Sequence, residues 1–181
     1  VVDRNERVGD VWRNRYHSLA LHNQVGLNQM AHLPFPSNWP TYLPKDMIAQ
    51  WLETYAEAME CNVWTRTTFD GGSFDATSGH WEARVTRADG STRVLRPRHI
   101  VFANGVAGKP WRPDLPGLED FVGTVLHTHN FKDGSAWRGR KALVLGAGTS
   151  GHDVAQDLYS HGVDVALIQR GSATVASIKA A

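Results

Sequence analysis

Met47, Ile48, Trp51, Leu52, Tyr55 and Met59 recur three and four residues apart, which lays one apolar stripe along a helix over residues 44–60. Pro44 suits the first turn, where its missing amide hydrogen is not needed. From Cys61 the rhythm shortens. Residues 63–69, 81–87, 92–95 and 98–102 predict extended segments, and Asp89-Gly90 predicts a tight hairpin, because glycine tolerates the positive φ that such a turn demands. A small antiparallel meander over about residues 63–96 is the expectation. Residues 99–103 read as a short buried strand ending at Asn104-Gly105, and Pro110, Pro113 and Pro116 then mark an extended connector. Residues 142–145 form an apolar run, followed by a glycine-rich turn, a helix to about His161 stopped by Gly162, and a second strand over 163–168. That is a β-α-β unit of about 30 residues. Ahead of the first helix, residues 7–43 are irregular, with Pro34, Pro36 and Pro40 beside Trp12 and Trp39. They read equally as a binding surface and as a loop packed over the core by its aromatic residues.

Composition narrows the classes. The 181 residues carry 19 Lys plus Arg against 18 Asp plus Glu, a net charge of +1, so no basic surplus points to nucleic acid. With 41% hydrophobic and 20% charged residues the chain is an ordinary globular one. The single cysteine, Cys61, excludes an intrachain disulfide and any chemistry that needs a thiol pair. No apolar run approaches the roughly 20 residues of a membrane span. Val1-Val2-Asp3 reads like the tail of a strand already under way, and Ser177 to Ala181 closes no element. We therefore expect a fragment cut at both ends. Without a targeting signal the expected compartment is the cytoplasm, and a homo-oligomer is compatible with the composition.

The chemistry concentrates in Gly146-Ala147-Gly148-Thr149-Ser150-Gly151, a G-x-G-x-x-G pattern placed between an apolar strand and a helix. In that setting Gly146 makes the tight turn, Gly148 admits a pyrophosphate to the backbone, and Gly151 lets the helix pack on the sheet. The amides of Thr149 and Ser150 at the helix start complete a phosphate cradle. The next strand ends Ile168-Gln169-Arg170, with no carboxylate to hold an NAD ribose. Arg170 suits a 2′-phosphate, so NADP is expected over NAD; a solvated surface arginine is the plain alternative. Ser18 and Ser150 lack a nucleophile elbow. His17 with His22, and His127 with His129, lack completing ligands at metal spacing, so neither a catalytic nucleophile nor a metal site is expected.

Residues 121–131 place Phe121, Gly123, His127 and Phe131 in the pattern F-x-G-x-x-x-H-x-x-x-F. This resembles the signature of flavin-containing monooxygenases of class B. The resemblance extends along the chain: Phe102-Ala103-Asn104-Gly105 resembles the segment closing the flavin domain, and Pro113 to Gly117 the connector after it. It implies that Asp3 holds the ribose of FAD and that Gly9-Asp10-Val11-Trp12 is the loop after it. It further implies that Ala103 and Gly105 line the flavin site, that Asn23 lies near the flavin, and that His127 links the two domains. Asn104 and Asp10 depart from the family's usual Thr and Gly, and the first G-x-G-x-x-G, for the FAD pyrophosphate, is not in this sequence.

The implied fold is α/β, with two dinucleotide-binding (Rossmann-like) domains. The first is incomplete and carries the meander; the second is a β-α-β unit cut short. Residues 1–126 fall to the FAD domain, 127–140 to a connector and 141–181 to the NADP domain. The implied activity is transfer of one oxygen atom from dioxygen to a nitrogen or sulfur centre of a small substrate, using FAD, NADPH and a flavin hydroperoxide. Baeyer-Villiger oxygenation is the alternative, with Phe131 standing where that group usually has Trp. A non-catalytic NADP-binding remnant is the reading from another class. A disulfide reductase is excluded by the lone Cys61.

Overall fold

The computed structural model describes residues 1–105 and 108–172. They divide into two compact units, one made of residues 1–14 and 46–108, the other of residues 15–45 and 109–181.

The first unit is built on helices α1 (Asp10–Arg13) and α2 (Lys45–Ala58) and a three-stranded sheet of β1 (Thr68–Asp75), β2 (His80–Thr86) and β3 (Thr92–Leu95) in the order β1-β2-β3. The apolar stripe of α2 buries Ile48 and Ala49. The helix stops where Glu60 takes a left-handed φ of 49° and Cys61 N–H turns back to the Ala56 carbonyl at 2.9 Å. Both sheet pairings are antiparallel, and β2 turns Ala83 and Val85 inward, so its alternation of buried and exposed positions is that of a half-buried strand. Asp89-Gly90 makes the expected turn: Gly90 has φ 79°, and Arg87 N–H bonds the Ser91 carbonyl at 2.9 Å.

Two expected segments differ. Residues 63–67 do not belong to the meander. Trp64 instead pairs in parallel with Val2, its N–H bonding the Val1 carbonyl at 2.8 Å and its carbonyl accepting the Asp3 amide at 2.9 Å. The meander begins at Thr68 and runs through Gly71-Gly72, which look like breakers in sequence. They fit because the register shifts between Phe69 and Gly71, a bulge at which Gly71 takes φ 146°. Residues 99–103 are not a buried strand either. No strand pairs with them among the described residues, and Val101 and Phe102 stand 85% and 69% exposed. A strand exists only through its partner's hydrogen bonds, so an apolar run alone does not make one.

The second unit holds the parallel pair β4 (Lys141–Leu145) and β5 (Asp164–Ile168), joined through helix α3 (Thr149–Ser160). Val144, Val154, Leu158 and Val163 are its buried apolar core, with Phe131 packed in from the preceding loop. The helix ends as expected, with Gly162 at φ 77°. The loop 131–137 docks on α3, where the buried Asp157 carboxylate accepts the Gly134 amide at 2.7 Å. A Cβ at Gly134 would lie 2.9 Å from the Leu158 Cα, so only glycine brings the loop this close.

Residues 15–45 fold back on themselves within this unit. Leu21 N–H bonds the Leu43 carbonyl at 2.8 Å, Val25 N–H the Thr41 carbonyl at 2.7 Å, and Lys45 N–H the Leu19 carbonyl at 2.9 Å. Tyr16, Leu19 and Leu43 are buried beneath them. Trp39 packs locally on Phe35, with ring centroids 5.8 Å apart.

Candidate functional site

In the first unit, Asp3 stands where the parallel pairing with Trp64 ends. Its Oδ1 accepts the Asn5 amide at 2.8 Å and the Asn5 side chain at 2.9 Å. Six residues on, Gly9 has φ 88°, and a Cβ there would sit 2.4 Å from the Ala49 carbonyl oxygen. Glycine at this position is demanded by the close approach of α2. Trp12, half-buried in α1, bonds through its amide to the Gly9 carbonyl at 2.9 Å. Ala103 and Gly105 lie exposed in the extended stretch after residue 102, with Gly105 at φ 69°.

Asp10, the departure from the family pattern, is only 7% exposed. Its Oδ2 accepts the Arg7 amide at 3.1 Å, and its Oδ1 faces Arg13 Nη1 at 3.0 Å and Arg7 Nη2 at 3.2 Å. Arg13 continues to Glu53 at 2.5 Å. Burial by itself raises the Asp10 carboxyl. The Arg13 and Arg7 hydrogen bonds and the two positive charges outweigh it and hold the group below its ordinary 3.8. A carboxylate at this position therefore closes the 7–10 turn from inside.

In the second unit the glycine turn has the expected geometry. Gly146 turns at φ 105°, its amide still bonded to the Ile168 carbonyl at 2.8 Å. A Cβ on Gly151 would fall 2.0 Å from the Gly146 oxygen, whereas one on Gly148 would meet nothing within 4 Å. The turn is thus tight beneath Gly151 and open above Gly148. Gly148 precedes the first residue of α3, and no side chain caps that end, so the amides of Thr149, Ser150 and Gly151 keep their donors for a ligand. Arg170 follows β5 and is exposed.

The segment 15–22 adds groups that periodicity does not reveal. The fully buried Tyr16 donates its hydroxyl to Asp153 Oδ2 at 2.6 Å, and His22 Nε2 lies 3.0 Å from the same oxygen. Burial, then the Asp153 hydrogen bond and charge, push the Tyr16 phenol well above its ordinary range. Arg15 reaches the Ser150 hydroxyl at 3.5 Å and stacks 5.6 Å from the Tyr16 ring centroid. Asp153 lies three residues after Ser150 and so shares its helix face, the one signal in the sequence that could have singled it out.

Asn23, expected near the flavin, falls in this second unit, its side chain bonded to Asn28 at 3.2 Å. His127 shapes its own turn: its Nδ1 accepts the His129 amide at 3.1 Å and its carbonyl the Asn130 amide at 2.8 Å. A hollow of about 270 Å³ on the connector, between Arg112 and Val125, contains none of the expected ligands. Phosphate-binding turns work through protruding amides, so an open hollow elsewhere does not compete with them.

The residues present fit a dinucleotide at the glycine turn. Open ground lies over Gly148, and among the described residues two buried polar atoms beside it, Arg15 Nε and His152 Nε2, lack a hydrogen-bond partner.

Fold and turn together define an α/β dinucleotide-binding protein with two incomplete units. The chain belongs to the flavin-binding monooxygenase-like family, whose sequence profile matches residues 4–180. It is 36% identical over 176 residues to indole-3-pyruvate monooxygenase YUCCA1 of Oryza sativa subsp. japonica, covering 97% of this chain and 42% of that protein. The chain thus spans about two fifths of that relative's length. Among solved structures, bacillithiol disulfide reductase Bdr from Bacillus cereus shares the fold at TM-score 0.82 and 20% identity, over 94% of this chain and 50% of its own. Cyclohexanone monooxygenase from Rhodococcus sp. Phi1 bound to NADP+ does so at 0.70 and 24%, over 93% and 32%. That a reductase and an oxygenase share this fold shows that architecture alone does not choose the chemistry. The lone, exposed Cys61 separates this chain from chemistry that needs a thiol pair.

Proposed function

We propose that the chain is the segment of an FAD- and NADPH-dependent monooxygenase that carries the NADPH-binding turn and part of the flavin-binding half. The whole protein would transfer one oxygen atom from dioxygen to a small organic substrate. The observation that carries this reading is the turn at residues 146–151, open above Gly148 and followed through β5 by Arg170. Oxygen transfer belongs to the bound flavin, with NADPH as two-electron donor and the second oxygen atom leaving as water.

The chain's own part is binding. The first amides of α3 receive the pyrophosphate, the Ser150 hydroxyl adds a donor, and Arg170 receives the 2′-phosphate. Asp3 accepts hydrogen bonds from the ribose of FAD. Gly9 acts on the flavin side through packing, by letting α2 approach the loop that follows Asp3. Trp12, Ala103, Gly105, Asn23 and His127 keep their implied places near the cofactors as proposals on the resemblance. The cytoplasm is the compartment that suits an exposed free thiol.

For the substrate, oxygenation at soft nitrogen or sulfur is our first reading. The relative named for indole-3-pyruvate favours a second, an aromatic 2-oxo acid. Phe131 is buried at 5% exposure, so the Phe or Trp that distinguishes the Baeyer-Villiger group sits at a packing position. The test is dinucleotide binding by wild type and Arg170→Ala. NADP+ should lose about tenfold in affinity while NAD+ is unchanged, the size of a charged hydrogen bond. Equal responses of the two dinucleotides would make Arg170 a surface charge only.

A further inference from the structure

Arg15 is a cation placed beside the start of α3, where the free amides already carry positive potential. That location is unfavourable for a guanidinium unless an anion completes it. Part of the compensation comes from Asp153, yet both contacts made to that carboxylate, by the Tyr16 hydroxyl at 2.6 Å and by His22 at 3.0 Å, fall on Oδ2 and not on Arg15. Arg15 itself touches Ser150 at 3.5 Å, and among the described residues its buried Nε has no partner. His152 Nε2, one residue past Gly151, is orphaned in the same way. Two buried polar atoms without partners beside one phosphate-binding turn indicate a ligand that supplies the missing acceptors.

We propose that Arg15 is a ligand of the dinucleotide pyrophosphate, and that Tyr16 and Asp153 are the positioning residues that hold it over the start of α3. The inference rests on the reading of residues 146–151 as the NADP site. Tyr16 is fully buried, its ring supports the guanidinium at 5.6 Å, and its hydroxyl is tied to the helix through Asp153, so Arg15 is held by the fold before any ligand arrives. The pyrophosphate is common to NADP and NAD. Arg15 therefore strengthens both, whereas Arg170 discriminates between them.

Calorimetric titration of the 181-residue chain with NADP+ and with NAD+ tests this. Arg15→Gln should weaken both dinucleotides by a similar factor of about tenfold, the effect of losing a charge-assisted hydrogen bond. Arg15→Lys should recover part of the loss, and Tyr16→Phe, which keeps the ring, should fall between wild type and Arg15→Gln. Positioning has its own signature: in an alkaline titration of phenolate absorbance, the last of the four tyrosines to ionise should move to lower pH in Asp153→Asn. Arg15→Gln binding both dinucleotides as wild type does would overturn the ligand role. An unchanged phenolate titration in Asp153→Asn would overturn the positioning role. A wild-type chain that binds neither dinucleotide would instead overturn the cofactor reading of the turn, and this inference with it.

Discussion

Single residues show how far sequence pattern reaches. Gly9 was legible as a loop glycine, but not the reason for it: φ 88° and an Ala49 oxygen 2.4 Å from any Cβ. Gly9→Ala should cost about 2 kcal/mol, from overpacking and backbone strain together, read as a lower urea midpoint at unchanged slope. Asp10 was legible only as a departure from a family pattern. The structure makes it the acceptor at the centre of Arg7, Arg13 and the 7–10 turn. Its carboxyl is held low, so its contribution is present above the ordinary value of 3.8 and is lost as pH falls from there through the lowered folded-state value. Asp10→Asn should cost about 2 kcal/mol at neutral pH, as for hydrogen bonds to a charged group, and that difference should shrink toward zero in acid. Chemical denaturation at pH 7 and at low pH measures both. Tyr16 works in the opposite sense. Its phenol is raised, so its contribution is complete below the ordinary value of 10.0 and declines as pH rises above it.

Among the elements, those with strong local periodicity were legible: α2, the hairpin at Asp89-Gly90 and the β4-α3-β5 unit. Those decided by distant partners were not. Trp64 turns to Val2 at the chain start, and Gly71-Gly72 enters β1 through a bulge, neither of which a local window can register. The glycine turn divides its labour, and two substitutions separate the roles. Gly148→Ala adds a Cβ into open space at a negative φ of −74°, so it should leave stability within about 0.5 kcal/mol and still weaken NADP+ binding. Gly151→Ala places a Cβ 2.0 Å from a backbone oxygen and should destabilise the second unit by about 2 kcal/mol. Thermal melts paired with ligand titrations distinguish them.

The whole molecule groups residues by contact more than by chain order: residues 15–45 pack with the glycine-turn unit, residues 46–108 with the chain start. The pattern of Tyr, His and Pro residues in 15–45 could not disclose this, because the grouping is made by Tyr16 and His22 on Asp153, by His17 on Asp133 at 3.1 Å, and by the backbone bond of His17 to Lys132. Each contact joins residues more than 100 positions apart. This chain has one G-x-G-x-x-G, at 146–151, and we assign it to NADP. The purified 181-residue chain should therefore be colourless and should not oxidise NADPH; stoichiometric yellow flavin would contradict that. The central claim, that the turn is a dinucleotide site, is tested most directly by amide NMR shifts of the isotope-labelled chain during NADP+ titration. The account predicts that the largest shifts fall on Gly148, Thr149, Ser150 and Gly151, with Arg170 following. Shifts absent there, or confined to residues outside the second unit, would contradict it.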